Sequence, residues 1–229
     1  MTPHLHIGNR NYSSWSLRPW LCLRWAGIAF DEKLIELDQP GYGAEGITAV
    51  RAVSPSGKVP ALRVGATTIW DSLAIAEWAA EGGTPGALLP VDRERRAVIR
   101  AACAEMHSGF PALRRDLPMN IRRRCVATDL PEDTWRDIER VERLWSALRA
   151  ANATDGPWLF GARSMADAFY LPVATRFRTY AVALSKAAQA YCETAFADAA
   201  FRDWETRVLA EPVVRFSRAP IDSLYETRD

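Results

Sequence analysis

Cysteine and histidine are scarce in this chain, four and three among 229 residues. Cys22, Cys103, Cys125 and Cys192 stand far apart. They form no C-x-x-C pair and no metal-ligand spacing, so they read as reduced thiols of a cytoplasmic protein. His4 and His6 share one strand face but lack a third ligand, and no metal is expected. An excess of one charge is also missing: 29 Lys+Arg against 28 Asp+Glu leave a formal charge of +1. Nucleic acid and membrane surfaces are therefore not expected as partners. No apolar run approaches the ~18 residues of a spanning helix. The opening residues pair no basic segment with an apolar one, so no secretory leader is expected. Internal repeats and low-complexity tracts are absent.

Tryptophan, by contrast, is abundant, with nine residues, and favours buried aromatic anchors. Hydrophobic residues make up 48% and charged residues 25%, which excludes wholesale disorder. A chain of this length can bury about 70% of its surface without disulfide or metal staples.

The texture changes near residue 83. His4–Gly8 reads as a strand, Ser16–Ala26 as a helix and Phe30–Leu37 as a second strand. Pro60–Val64 and Thr67–Trp70 form a hairpin-like pair, and Asp71–Glu81 is a helix that follows directly. The order β-α-β-(irregular)-β-β-α predicts a mixed sheet with helices packed on it. Gly82, Gly83, Pro85, Gly86 and Pro90 then mark a linker over 83–92. Beyond it only helical patterns occur. Arg93–Met106 places Val98, Ala102 and Met106 on one stripe. Pro131–Ala151 spaces Trp135, Ile138, Val141, Trp145 and Leu148 by three and four. Ser164 opens another long helical run, and Asp198–Leu209 is a last short one. The expectation is an α/β domain over 1–82 and an all-α domain over 93–229.

The most informative local feature is the turn Asn11-Tyr12-Ser13-Ser14-Trp15-Ser16-Leu17-Arg18-Pro19, between the first strand and the first helix. Free N–H groups and the positive end of the helix dipole favour an anion there. One serine suffices as an N-cap, and Ser16 fits that role with Pro19 in the first turn. Three serines with Arg18 in six residues point beyond capping to an anion site.

With this turn, the order of elements, Ser54-Pro55-Ser56-Gly57-Lys58-Val59-Pro60 and Asp71-Ser72, the chain resembles the cytosolic glutathione S-transferases. The turn is similar to the S-S-C-S-W-R turn of their zeta class, with Trp15 and Leu17 in place of that Cys and Trp. The resemblance spans essentially the whole chain. It implies a thioredoxin-like N-terminal domain, an all-helical C-terminal domain, glutathione as co-substrate and a homodimer. Where thioredoxins carry their cysteine pair, the matching positions are Ser13 and Ser16, so a dithiol relay is not available.

The chemistry that the resemblance implies is thiolate stabilisation. A free thiol has a pKa of about 8.5, and lowering it by about two units takes roughly 2.7 kcal/mol. A hydrogen bond to a charged acceptor supplies about 1.5–3 kcal/mol and a helix N-terminus about 0.3–1. One serine at a helix start is therefore about sufficient, with no general base. The zeta serine usually given this role matches Ser13, and Ser14 is the second candidate. Trp15, Ser16 and Arg18 complete the turn's binding set.

Val59-Pro60 matches the family's cis-proline, which turns the Val59 N–H and C=O outward to pair with a peptide ligand. Lys58 can meet a glutathione carboxylate or remain solvated. The resemblance assigns Asp71 to the ammonium of the γ-glutamyl end, and Ser72 with the helix-start N–H groups to its carboxylate. Both residues are also good N-caps. Ser164-Met165-Ala166-Asp167 reads as a capping box with a folding role.

In the helical half, His107, Arg114, Arg115 and Arg122–Arg124 fall in the region that faces the family's electrophile pocket. Arg122 and Arg123 can hold a carboxylate-bearing co-substrate or lie on a solvated face. Isomerising zeta members carry an arginine seven positions after the proline matched by Pro172. This chain has Thr179 there, with Arg176 and Arg178 nearby. Three functions compete: conjugation of glutathione to an electrophile, a glutathione-dependent cis–trans isomerase of the maleylacetoacetate type, and a non-catalytic glutathione-binding or interaction module.

Overall fold

The structure is a computed structural model that describes residues 2–44 and 46–217; positions 218–229, placed above in the helical half, lie outside it. Four strands form one sheet: β1 (His4–Gly8), β2 (Asp31–Ile35), β3 (Ala61–Val64) and β4 (Thr67–Ile69), in the order β2-β1-β3-β4. β1 pairs parallel with β2, with Leu5 opposite Glu32, and antiparallel with β3, with Leu5 opposite Leu62. β3 and β4 form an antiparallel hairpin around Gly65, whose φ is +58°. The helices of this half are α1 (Ser14–Trp25), the short α2 (Thr48–Arg51) and α3 (Ser72–Gly82). The rest is helical: α4 (Arg93–Ser108), α5 (Pro111–Asp116), α6 (Glu132–Ala151), α7 (Met165–Thr179), α8 (Lys186–Ala197) and α9 (Ala199–Ala210). A mixed sheet with helices thus precedes an all-helical half, as the residue patterns predict.

α1 is the shared wall. It is buried on almost every side, because it packs on α3 of its own half and on α7 and α9 of the other. Leu17, Leu21, Phe169 and Phe177 belong to one continuous apolar core, in which each buried large side chain contributes about 1.5–3 kcal/mol. Trp20 of α1 meets Trp204 of α9 edge-on at 5.1 Å. Asp198 caps α9 through the amides of Ala200 and Phe201 and accepts from the Trp25 indole at 3.1 Å. The serine turn at the head of α1 is thereby fixed against both halves.

Several expectations need correction. α1 begins at Ser14 and its N-cap is Ser13, not Ser16, because the Ser13 hydroxyl already accepts the Ser16 amide. Val98 and Trp135 are exposed. On α4 the buried stripe is Ile99, Ala102, Cys103 and Met106; on α6 it is Thr134, Ile138, Val141, Trp145 and Leu148. Each exposed residue is a stripe neighbour turned onto the shoulder of its helix. The second strand is shorter than Phe30–Leu37, and α2 and α5 had no periodicity long enough to announce them. Ser164 and Asp167 form the expected capping box.

Candidate active site

The serine turn is a layered hydrogen-bond system. Ser13 Oγ lies 2.7 Å from Ser16 Oγ and accepts the Ser16 amide at 3.3 Å. Ser16 Oγ in turn accepts the Gly8 amide at 3.0 Å, so Ser16 is fully buried between β1 and α1. A hydroxyl offers one donor and two acceptor sites. With Ser16 donating to Ser13, the acceptor sites of Ser13 are filled from within the chain and its own proton remains for a ligand. Ser14 is placed differently: its Oγ accepts from the Arg176 guanidinium at 3.1 Å.

Ser13 lines a cleft of about 320 Å³ together with Trp15, Lys58 and Val59. Its far walls are Tyr12, Tyr42 and Phe216, the last from the segment after α9. Phe216 meets Tyr12 edge-on at 5.4 Å and Tyr42 at 4.8 Å. The Val59–Pro60 bond is cis. Among the described residues, no hydrogen bond within the chain uses the Val59 N–H or C=O. The turn before it is held by Gly57 at φ +66° and by the Ser54–Ser56 hydroxyl pair at 3.0 Å. Lys58 is exposed at the cleft; Pro60 is buried behind it.

Asp71 and Ser72 stand at the start of α3. Asp71 caps the helix through the Leu73 amide at 2.7 Å, and its second oxygen lies 3.1 Å from His107 Nε2. That contact joins α3 to the end of α4. Burial holds the His107 imidazole below its ordinary pKa; Asp71 opposes this, while Arg18 and Arg114 add to it. The ring also meets Trp15 edge-on at 5.2 Å. Ser72 is buried and its hydroxyl has no partner among the described residues.

The arginines separate into two groups. Arg18, Arg114 and Arg176 converge beneath the serine turn. Arg18 is fully buried, 4.4 Å from the Trp15 ring centroid, and Arg114 lies 4.8 Å from the same ring. Arg122 and Arg123 lie apart, along a second cavity of about 660 Å³ bounded by Asn11, Tyr12 and the segment 212–216. The Arg122 guanidinium is used by the chain itself: Nε donates to Val208 O at 3.0 Å, and its NH2 group to Val208 O and Glu211 O. The Arg122 amide donates to Asn11 Oδ1, which latches this loop to the serine turn. The sequence-derived set is thus brought together around Ser13, Trp15, Lys58, Val59, Asp71 and His107, with Arg122 and Arg123 outside it. Sequence reasoning did not find Tyr42, Phe216 or the Arg176–Ser14 contact. No local spacing links residues so far apart in the chain.

Two family models match the chain: the glutathione S-transferase N-terminal domain over residues 12–81 and the glutathione S-transferase C-terminal domain over residues 121–212. The chain belongs to the glutathione S-transferase family. The N-terminal match contains the three serines of the turn, the Val59–Pro60 loop and Asp71-Ser72. Among curated relatives, maleylpyruvate isomerase of Ralstonia sp is 27% identical over 182 residues, 76% of this chain and 84% of that protein. Maleylacetoacetate isomerase of Rattus norvegicus is 33% identical over 111 residues, 48% of this chain and 50% of that protein. The chain thus matches only about half the length of that rat relative. A solved zeta-class bacterial glutathione S-transferase, a maleylpyruvate isomerase, superposes with a TM-score of 0.70 at 23% identity, covering 93% of this chain and 100% of that one. A glutathione transferase homologue from Burkholderia, solved with bound glutathione, gives 0.68 at 21% identity over 92% and 99% of the two chains. At these identities the structures establish the shared fold. Among the described residues, no helix is long and apolar enough to cross a membrane, and no cluster of His, Cys, Asp or Glu is suited to a metal ion.

Proposed function

We propose that this chain is a glutathione transferase in which the Ser13 hydroxyl, at the N-cap of α1, donates to the glutathione sulfur and holds it as thiolate for attack on an electrophilic carbon. The observation that carries this reading is the position of Ser13: it lines the cleft beside Lys58 and Val59, and its hydroxyl is held by the Ser16 amide and hydroxyl. In this reading the free Val59 main chain pairs with the cysteinyl unit of the tripeptide as an added strand. Lys58 meets a carboxylate. Asp71 takes the ammonium of the γ-glutamyl end, and the α3 start with Ser72 takes its carboxylate. Trp15 and His107 form the wall on which the electrophile rests. The enzyme contributes proximity and thiolate stabilisation, without a general base. Four buried thiols suit a reducing cytoplasm. Exposed Trp70, Val91 and Val98 give a second copy of the chain apolar surface to cover.

A second reading, a glutathione-dependent cis–trans isomerase, is favoured by the isomerase relatives. It is also supported by Arg176, which reaches the serine turn from a position one helical turn before Thr179. A turnover panel separates the two. Aryl halides and epoxides consume glutathione under the first reading. Maleylacetoacetate or maleylpyruvate turns over without net consumption under the second. For either, Ser13→Ala lowers kcat/KM about tenfold or more, consistent with loss of a hydrogen bond to an anion. Binding of glutathione without turnover of any of these compounds would reduce the chain to a binding module.

A further inference from the structure

We infer that Arg18 activates the site without touching its ligand: with Arg114 and Arg176 it forms a buried positive charge beneath Ser13–Trp15 that favours the anionic form of a sulfur held there. This rests on the reading of glutathione as the ligand and deepens it.

Arg18 has no exposed surface, and none of its three guanidinium nitrogens has a hydrogen-bond partner among the described residues. Its contacts are the rings of Trp15 at 4.4 Å and Phe169 at 5.1 Å. Aromatic faces attract a cation but leave its net charge in place. Arg114 reaches the Trp15 ring from α5, bonded to the Gly109 and Met106 carbonyls. Arg176 reaches the serine turn from α7, bonded to the Pro172 carbonyl and to Ser14 Oγ. These acceptors are neutral. Other arginines of the chain are matched by carboxylates: Arg10 pairs with Glu32 and Glu211, Arg100 with Glu77, Arg140 with Glu105 and Arg178 with Glu205.

The groups facing the cluster do not cancel it. Cys22 of α1, Cys103 of α4 and Tyr170 of α7 are kept neutral by burial, which pushes each of their pKa values up. Tyr180, after α7, faces Arg176 with its hydroxyl on the Pro118 carbonyl. His107 of α4 is held toward its neutral form. Two carboxylates face the cluster. Asp71 is half-exposed at the mouth of the site and already caps α3, and Asp137 of α6 accepts the Leu113 amide beside Arg114. Burial pulls the guanidinium pKa of all three down, that of Arg18 well below its ordinary value and that of Arg176 to about 9, but an arginine keeps its proton even when buried. A charge enclosed in apolar surroundings acts at longer range than an exposed one and is little screened by salt. Arg18 is therefore a positioning charge, and the serine hydroxyl remains the contact.

The test is the thiol pKa of glutathione bound to the full chain, read from the ultraviolet absorbance of the thiolate across a pH series at low and high salt. Arg18→Met, close in shape and neutral, raises the bound thiol pKa by about one unit, a tenfold fall in its ionisation constant. Salt changes neither the value of the unaltered chain nor that of the variant appreciably. A folded Arg18→Met that binds glutathione with an unmoved thiol pKa overturns the inference and leaves the functional reading standing. If Arg18→Met does not fold, Arg114→Met carries the same test, with a smaller rise expected and no rise contradicting it. Failure of the unaltered chain to bind glutathione by calorimetry overturns the functional reading and this inference with it.

Discussion

Ser13 Oγ and Ser16 Oγ lie 2.7 Å apart, and Ser16 Oγ also accepts the Gly8 amide. Ser16 therefore links the end of β1 to the head of α1 and holds the hydroxyl of its neighbour in place. Ser16→Ala is expected to lower kcat/KM several-fold, by freeing the Ser13 hydroxyl to turn inward, and to cost about 1 kcal/mol of stability. Steady-state kinetics with thermal unfolding checks this. A stability loss with unchanged kinetics would show that Ser16 only fastens the turn.

Arg122 is expected to matter for folding before it matters for substrate, since it holds the carbonyls of Val208 and Glu211 at the end of α9. Arg122→Gln should lower stability by about 1.5–3 kcal/mol, the range for charge-assisted hydrogen bonds. Its KM for anionic electrophiles should stay within about twofold, well under 1 kcal/mol. A large, selective rise in that KM at unchanged Tm would instead place Arg122 on a co-substrate carboxylate.

Asp167 is fully buried in the capping box of α7, and burial raises its carboxyl pKa from 3.8 to about 6, against hydrogen bonds from the Leu159 and Ser164 amides. A raised folded-state pKa gives stability that is fully present below about pH 4 and lost as pH rises through about 6. Relative to Asp167→Asn, which does not titrate, the unaltered chain should lose about 2 kcal/mol between about pH 4 and pH 7. Denaturant unfolding of both proteins across that range measures the difference. A constant difference would mean that the carboxyl titrates normally.

The cysteines are expected to be inert. All four are buried, and burial raises each thiol pKa, that of Cys192 to about 12. A thiol-specific reagent should find no fast-reacting group in the native chain and four after denaturation. A rapidly modified cysteine in the native state would indicate local opening.

The sequence disclosed most where the physics is local. A serine-rich turn before a helix, prolines and Gly57 before β3, and Asp71 at the head of α3 each carry their geometry in a few consecutive residues. Helix faces were less legible. Spacings of three and four announce a stripe but do not fix its centre, so the pattern points Val98 and Trp135 inward while Ile99 and Thr134 occupy the buried positions. By composition either serine suits the cap; the closing bond from the Ser16 amide to Ser13 decides it. The Phe216 wall and the Arg176–Ser14 bond depend on tertiary contacts across most of the chain, and no local pattern encodes them.

The central claim is that the corner between β1 and α1 holds the glutathione sulfur in its ionised form through Ser13. The most direct measurement is the ultraviolet thiolate signal produced when glutathione is mixed at neutral pH with the unaltered chain and with Ser13→Ala. A strong signal from the unaltered chain that largely vanishes in Ser13→Ala, while glutathione still binds, is the predicted result. An equal signal from both proteins, or none from either, would contradict it.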